Sequence, residues 1–314
     1  MNLSKLKIIV FGGTGLVGSG LVKKLKLSNY FFVAPKRNEV DLFKYGEVCK
    51  FIKDIKPDLV INCAGKVGGI AINNDNHFEF FNKNFDIGRN IINSCIENNI
   101  YNLINLGSSC MYPTHILENQ LAEKDILSGP LEKTNEGYAL AKISILKLCT
   151  YLNKEKNTNF KTFIPCNLYG PNDKFDLYSS HLIPAIINKV HHAIYEKKQV
   201  IEIWGSGKVK REFMFSDDLS DFIVFSINNW KKIPAVINVG MGKDLTVTDY
   251  YKIISDTLGW NGKFIYDKNK PEGMKNKLMN ITLLKELGWK PKFDLISGIN
   301  LTYKSYKDKI DTLN

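Results

Sequence analysis

The sequence predicts an α/β fold built on a doubly wound parallel sheet, followed by a smaller mixed α/β lobe. Three observations carry this. Short continuous apolar runs recur along the first half of the chain, as expected for strands buried on both faces. Helix-like stretches separate them on a regular repeat. A glycine-rich turn joins the first run to the first helix.

Lys7-Ile-Ile-Val-Phe11 is the first strand, and Gly12-Gly-Thr-Gly-Leu-Val-Gly18 leads from it into a helix through Leu27. The motif satisfies both G-x-x-G-x-x-G and G-x-G-x-x-G. Glycines let the backbone turn tightly and approach a pyrophosphate, and the helix start offers it unpaired N–H groups and positive dipole. Placed between a strand and a helix, the motif is a strong signal. It makes the expected sheet Rossmann-like and puts Gly12, Thr14, Gly15, Leu16, Val17 and Gly18 against a dinucleotide.

The second strand, Tyr30 to Ala34, runs into Pro35-Lys36-Arg37. An NAD site usually has an acid there, on the ribose hydroxyls. Two cations and no acid favour the extra phosphate of NADPH over NAD, the competing reading being ordinary surface charge. Asp41 and Leu42 open the next segment and could flank the adenine. Leu59-Val-Ile-Asn-Cys63 is the third strand. The small residues after it, in Ala64-Gly-Lys-Val-Gly-Gly-Ile70, let pyrophosphate and ribose pass close, so Ala64, Gly65 and Lys66 are further cofactor candidates.

Phe78 to Glu97 reads as a long helix, Leu103 to Leu106 as the fourth strand, Tyr138 to Leu152 as a helix and Phe160 to Cys166 as the fifth strand. Ligands on such sheets sit beyond the carboxyl ends of the strands. After Asn167-Leu-Tyr-Gly-Pro171 the alternation lapses into a polar stretch, Asp173 to Ser180, and a helix-like run begins at His181. Asp217 and Asp218 are expected to cap a helix, and Ile237-Asn-Val-Gly240 to rejoin the sheet. Residues 1–170 are therefore read as the dinucleotide-binding domain, rejoined by part of 208–242. Residues 171–314 are mainly a substrate-binding lobe.

A chain of 314 residues can bury a sizeable core. No apolar run is long enough to span a membrane, and the start lacks the order of a signal peptide, so a cytoplasmic protein is expected. The six cysteines form no C-x-x-C pair and no zinc pattern, which argues for reduced thiols and no metal. The formal charge of +11 comes from scattered lysines, suiting a solvated surface or a field for an anionic nucleotide. Zinc fingers, aromatic RNA-binding signatures and basic tails are missing, so nucleic acid is not an expected partner.

The chemistry centres on Leu106-Gly-Ser-Ser-Cys-Met-Tyr-Pro113 and Tyr138-Ala-Leu-Ala-Lys142. Four residues apart on a helix, Tyr138 and Lys142 share one face. A phenol has a pKa of about 10, which a neighbouring ammonium is expected to lower. With the Ser108 hydroxyl beside them, these residues form a device for moving a proton on or off a carbonyl oxygen. Hydride transfer is the reaction such a device serves.

With these motifs in place the chain resembles the extended short-chain dehydrogenase/reductase superfamily. Within it, Ala64–Ile70, Leu106–Pro113, Thr134–Lys142, Asn167–Pro171, Ser180-His-Leu-Ile-Pro184, Trp204-Gly-Ser-Gly207 and Arg211-Glu-Phe213 are similar to the GDP-L-fucose synthase family. The resemblance implies an NADPH-dependent enzyme that epimerises a GDP-4-keto-6-deoxy-sugar at C3 and C5 and reduces it at C4. Tyr138 would protonate O4, Lys142 would hold the nicotinamide ribose, Ser108 would hydrogen-bond O4, and Cys110 and His181 would be base and acid for the inversions. It also implies that Leu106, Gly107, Pro165, Asn167, Leu168 and His181 lie along NADP. The GDP-sugar would meet Ser109 and Asn167, together with Lys189, Trp204, Arg211, Glu272 and Lys277. Family members are commonly homodimers through the two long helices.

Four positions depart from the family's pattern: Thr14 replaces a basic residue, Gly137 a proline, and Asn276 and Asn280 an Arg and an Asp. The last two lie by the expected GDP-sugar and leave hexose against heptose open. Rival readings are a C4-reductase acting on a GDP-keto-heptose, a sugar-nucleotide 4-epimerase or dehydratase with bound NAD, and a non-catalytic NADPH-binding protein.

Overall fold

The computed structural model describes residues 6–116, 120–270 and 272–311. The first five strands are β1 (Lys7–Phe11), β2 (Phe31–Val33), β3 (Leu59–Asn62), β4 (Asn102–Leu106) and β5 (Asn159–Pro165). The later strands are β6 (Asn167–Tyr169), β7 (Val200–Trp204), β8 (Lys210–Arg211), β9 (Phe213–Phe215), β10 (Val236–Val239), β11 (Leu245–Thr246) and β12 (Lys263–Asp267). Among the described residues six of these form one sheet in the order β10-β5-β4-β3-β1-β2, parallel throughout. The expected return of 237–240 to the sheet is thus realised as β10 beside β5.

Five helices belong to the first half of the chain: α1 (Leu16–Leu27), α2 (Tyr45–Ile55), α3 (Ile70–Asp75), α4 (His77–Glu97) and α5 (Glu136–Lys156). Alternating strand residues serve the two faces of the sheet. Ile9, Phe11 and Val60 pack with α2, α4 and α5, while Ile8, Val10 and Ile61 pack with α1 and with α7 (Ser216–Asn228). Phe80, Asn84, Ile87, Ile91 and Cys95 give α4 its buried stripe at helical spacing.

Beyond the sheet, α6 (Leu182–Tyr195), α8 (Val247–Leu258) and α10 (Leu295–Asp311) pack on β7 and β12 around a second core that includes Ile187, Ile203, Tyr251 and Tyr306. The short α9 (Thr282–Glu286) lies against β10. No helix among the described residues is long and apolar enough to cross a membrane.

One expectation about these elements needs correction. Asp217 and Asp218 do not cap α7, whose cap position is Phe215. They sit in its first turn, and the fully buried Asp218 carboxylate instead accepts N–H bonds from Lys292 and Phe293 at 2.7 and 3.3 Å. After β3, Ile70–Asp75 closes into α3.

Candidate active site

The carboxyl ends of β1, β3, β4 and β5 open on a cleft of about 410 Å³ whose far wall comes from α6 and the last third of the chain. The glycine turn forms one end. A Cβ at Gly18 would stand 2.1 Å from the Gly12 carbonyl oxygen, and one at Gly12, where φ is +78°, would stand 2.6 Å from the Ala64 nitrogen. Neither position admits a side chain. The start of α1 has no side-chain cap, so its N–H groups are available where Gly15, Leu16 and Val17 line the cleft. Gly12 and Gly18 lie outside that lining as the closely packed frame of the turn, and Thr14 is exposed outside it.

Ser108 ends β4 and caps a short 3₁₀ turn, its Oγ accepting the Cys110 N–H at 3.2 Å. Its hydroxyl stands beside the Tyr138 phenol and favours the phenol's charged form. Lys142, one turn along α5, is 8% exposed and donates to the Leu106 carbonyl at 2.9 Å, with Nζ 5.8 Å from the Tyr138 ring centre. The expected lowering of the phenol's pKa by Lys142 is corrected here. Burial is the largest influence and pushes Tyr138 well above 10, the Cys110 charge adds to it, and the Ser108 hydrogen bond opposes. Burial also pulls Lys142 down to about 8.

Cys110 faces a cation. Lys277, 6% exposed, places Nζ 3.2 Å from Cys110 Sγ. His181 occupies the cap position of α6, with Nδ1 4.0 Å from an oxygen of the buried Asp173 carboxylate. All five expected catalytic residues, Ser108, Cys110, Tyr138, Lys142 and His181, line the one cleft. Ala64, Gly65, Leu106 and Gly107 do too, as do Ser109, Pro165, Asn167 and Leu168.

On the lobe side, Lys189 donates to the Glu202 carbonyl at 2.8 Å and lies 5.4 Å from the Trp204 ring centre. Burial lowers its pKa. Arg211 is committed to backbone, donating to the carbonyls of Met274 and Glu272 at 2.5 and 2.6 Å. The Glu272 carboxylate in turn takes the Ser206 N–H. The segment bearing Lys277 is also held by Glu212, fully buried, whose carboxylate accepts N–H bonds from Met241, Gly242 and Met279. Burial raises the Glu212 pKa to about 7.

Some expected residues lie outside the cleft lining. Lys66 turns its ammonium onto Glu79, while Asn84 brackets its backbone from both sides. Lys36 and Arg37 are exposed just beyond β2, Asp41 accepts the Phe43 N–H, and the Leu42 carbonyl accepts from Asn90. Conversely, Asn135, Asn73 and Ser180 line the cleft, each with a buried side-chain oxygen that has no hydrogen-bond partner among the described residues. Sequence reasoning passed over them because neutral polar residues beside a motif carry no distinguishing pattern.

Residues 8–240 match the NAD dependent epimerase/dehydratase family. The chain is 49% identical over 298 residues to the GDP-L-colitose synthase of Yersinia pseudotuberculosis, covering 95% of this chain and 96% of that protein. It is 45% identical over 300 residues to the GDP-L-fucose synthase of Azorhizobium caulinodans, covering 96% of each. Among solved structures it resembles the GDP-mannoheptose C4 reductase MlghC from Campylobacter jejuni with NADP bound. The TM-score is 0.86 at 31% identity, covering 97% of this chain and 99% of that one.

Proposed function

The chain belongs to the NAD dependent epimerase/dehydratase family and, within it, to the GDP-L-fucose synthase family, and we propose that it is an NADPH-dependent GDP-4-keto-6-deoxy-sugar 3,5-epimerase/4-reductase. The observation that carries this reading is the convergence of Ser108, Cys110, Tyr138, Lys142 and His181 on one cleft that also contains the glycine turn.

The cleft fits the cofactor. Its closed glycine contacts and uncapped helix start suit a pyrophosphate, and the exposed Lys36 and Arg37 follow β2, where a 2′-phosphate would lie. When bound, NADPH supplies the hydride that reduces C4. Lys142 would hold the nicotinamide ribose, with Gly65, Leu106, Gly107, Pro165 and Leu168 as its close surroundings.

The protein's own side chains handle the protons. Protons at C3 and C5 are acidified because the charge left by their removal rests on O4, where Ser108 and Tyr138 donate hydrogen bonds. Cys110 removes the proton, and the Lys277 ammonium stabilises the sulfur as it takes part. His181 returns a proton from the other face. Tyr138 then protonates O4 as C4 is reduced. Its raised pKa suits that task, because the phenol remains protonated across the neutral range. Trp204 and Lys189 would receive the nucleotide, with Glu272, Arg211, Ser109 and Asn167 completing the substrate wall.

A C4-reductase acting on a GDP-keto-heptose is the second reading, favoured by the likeness to the heptose reductase. Incubating sugar and enzyme in heavy water without NADPH separates the two. Deuterium at C3 and C5 is expected, and its absence sinks the epimerase half. Tyr138→Phe should lower reduction about 10²- to 10⁴-fold with NADPH affinity kept.

We further propose the domain division near residue 170 given above. A homodimer through α4 and α5 is supported by exposed Phe78, Leu140 and Tyr151 on those helices, and light scattering tests it. Six free thiols favour a cytoplasmic setting.

A further inference from the structure

We propose that Asp173 is a positioning residue for His181: its carboxylate orients the imidazole and keeps a proton on Nδ1, leaving Nε2 for the sugar. The inference rests on the reading of His181 as the acid of epimerisation and adds the group that makes the ring competent.

Three observations carry it. Asp173 Oδ1 lies 4.0 Å from His181 Nδ1. The carboxylate is buried, at 9% exposure for the residue, and Oδ2 has no hydrogen-bond partner among the described residues. Oδ1 accepts the Lys174 N–H at 2.9 Å, so the other oxygen is the one still lacking a donor. A buried carboxylate oxygen without a donor is costly, and among the described residues the His181 imidazole approaches this carboxylate. In the proposed arrangement the carboxylate turns to bring Oδ2, the oxygen without a donor, onto the Nδ1–H. A ring nitrogen held by a carboxylate fixes tautomer and orientation together.

The surrounding chain is built to keep Asp173 in place. Ser305 and Lys309 on α10 donate to the Pro171 carbonyl at 2.7 and 3.2 Å, and Lys309 reaches the Asp173 carbonyl at 3.3 Å. Lys309 thus binds backbone oxygens here. Phe175 packs on Tyr306, ring centres 4.7 Å apart. At the far end of the loop, the Gly69 N–H holds the Ser179 carbonyl at 2.9 Å. The segment carrying Asp173 and His181 is therefore fastened to α10 on one side and to the loop after β3 on the other.

Two measurements on the full-length protein test this. The first is long-range ¹H–¹⁵N NMR of the histidine rings, with His181 assigned through His181→Gln. Neutral His181 is expected to carry its proton on Nδ1, and an Nε2–H ring in the wild type overturns the proposal. The second is solvent-deuterium exchange at C3 and C5. Asp173→Asn should lower its kcat about 10- to 100-fold with KM within about threefold, and Asp173→Glu should restore part of the loss. Exchange at the wild-type rate in a folded Asp173→Asn protein overturns the proposal as well. If that variant does not fold, the wild-type ring spectrum decides alone. Absence of exchange in the wild type would instead defeat the epimerase reading, and the ring spectrum would still judge Asp173.

Discussion

The Lys277 ammonium sits 3.2 Å from the Cys110 sulfur, bringing a buried cation from the last third of the chain against a residue in the 3₁₀ turn after β4. A sulfur that takes a proton must carry its negative charge beforehand, and such a donor stabilises that charged form. Lys277→Met should therefore slow exchange at C3 and C5 about 10- to 100-fold, the worth of one charge-assisted hydrogen bond. Reduction of an already epimerised ketosugar should fall much less. Equal losses in both reactions would assign Lys277 to substrate binding instead.

Lys142 gives a pH signature. Burial holds its pKa at about 8 in the folded chain, against an ordinary 10.5. Its charge, which in the proposed role holds the ribose, is lost as pH rises through about 8. In the wild type kcat/KM for NADPH should decline above that pH. Stability moves the opposite way: between about 8 and 10.5 the folded state binds fewer protons than the unfolded state, so this group's contribution grows more favourable with rising pH. Urea denaturation of wild type and Lys142→Met across that window should show the rise only in the wild type.

Gly137 explains one departure from the family's pattern. A Cβ there would lie 2.5 Å from the His77 carbonyl oxygen, and the Gly137 N–H points to His77 Nδ1 at 3.4 Å. The start of α4 thus occupies the space that a proline ring would need, and proline has no N–H to donate. Gly137→Ala should cost about 1–3 kcal/mol, read as a lower Tm. It should also reduce activity, because the shifted backbone bears Tyr138.

Arg37 tests the cofactor preference. Replacing it with Ala should raise KM for NADPH about 10- to 100-fold, as expected for one charge-assisted contact to a phosphate, and leave KM for NADH nearly unchanged. Similar changes for both cofactors would place the preference elsewhere.

Much of the fold was legible because buried parallel strands are written as unbroken apolar runs. Lys7–Phe11 and Leu59–Asn62 match the expected strands to within a residue, and the i, i+4 pair Tyr138 and Lys142 lies on α5 as its spacing required. What escaped depended on tertiary context. The Gly65–Gly69 run hides the start of α3, since small residues carry no amphipathic period. The direction of the Tyr138 shift was misread because the effect of burial is invisible to spacing and exceeds that of a neighbouring charge. Asp173, in a polar stretch read as loop, acquires meaning only once α10 pins it beside His181.

Ser108, just beyond β4, and Tyr138, on α5, belong to the first half of the chain, whereas Trp204, Arg211, Glu272 and Lys277 belong to the later segments that face it. The Arg211 and Glu272 side chains hold the path of that later wall by bonding its main chain, so Trp204 is the wall residue that can be exchanged with less disturbance of that path. Natural variation or deliberate redesign can therefore retune which sugar is accepted while the redox half stays intact. Lys277 is bonded to Cys110, and on the proposed roles it would tie acceptance of a substrate to inversion of its stereocentres.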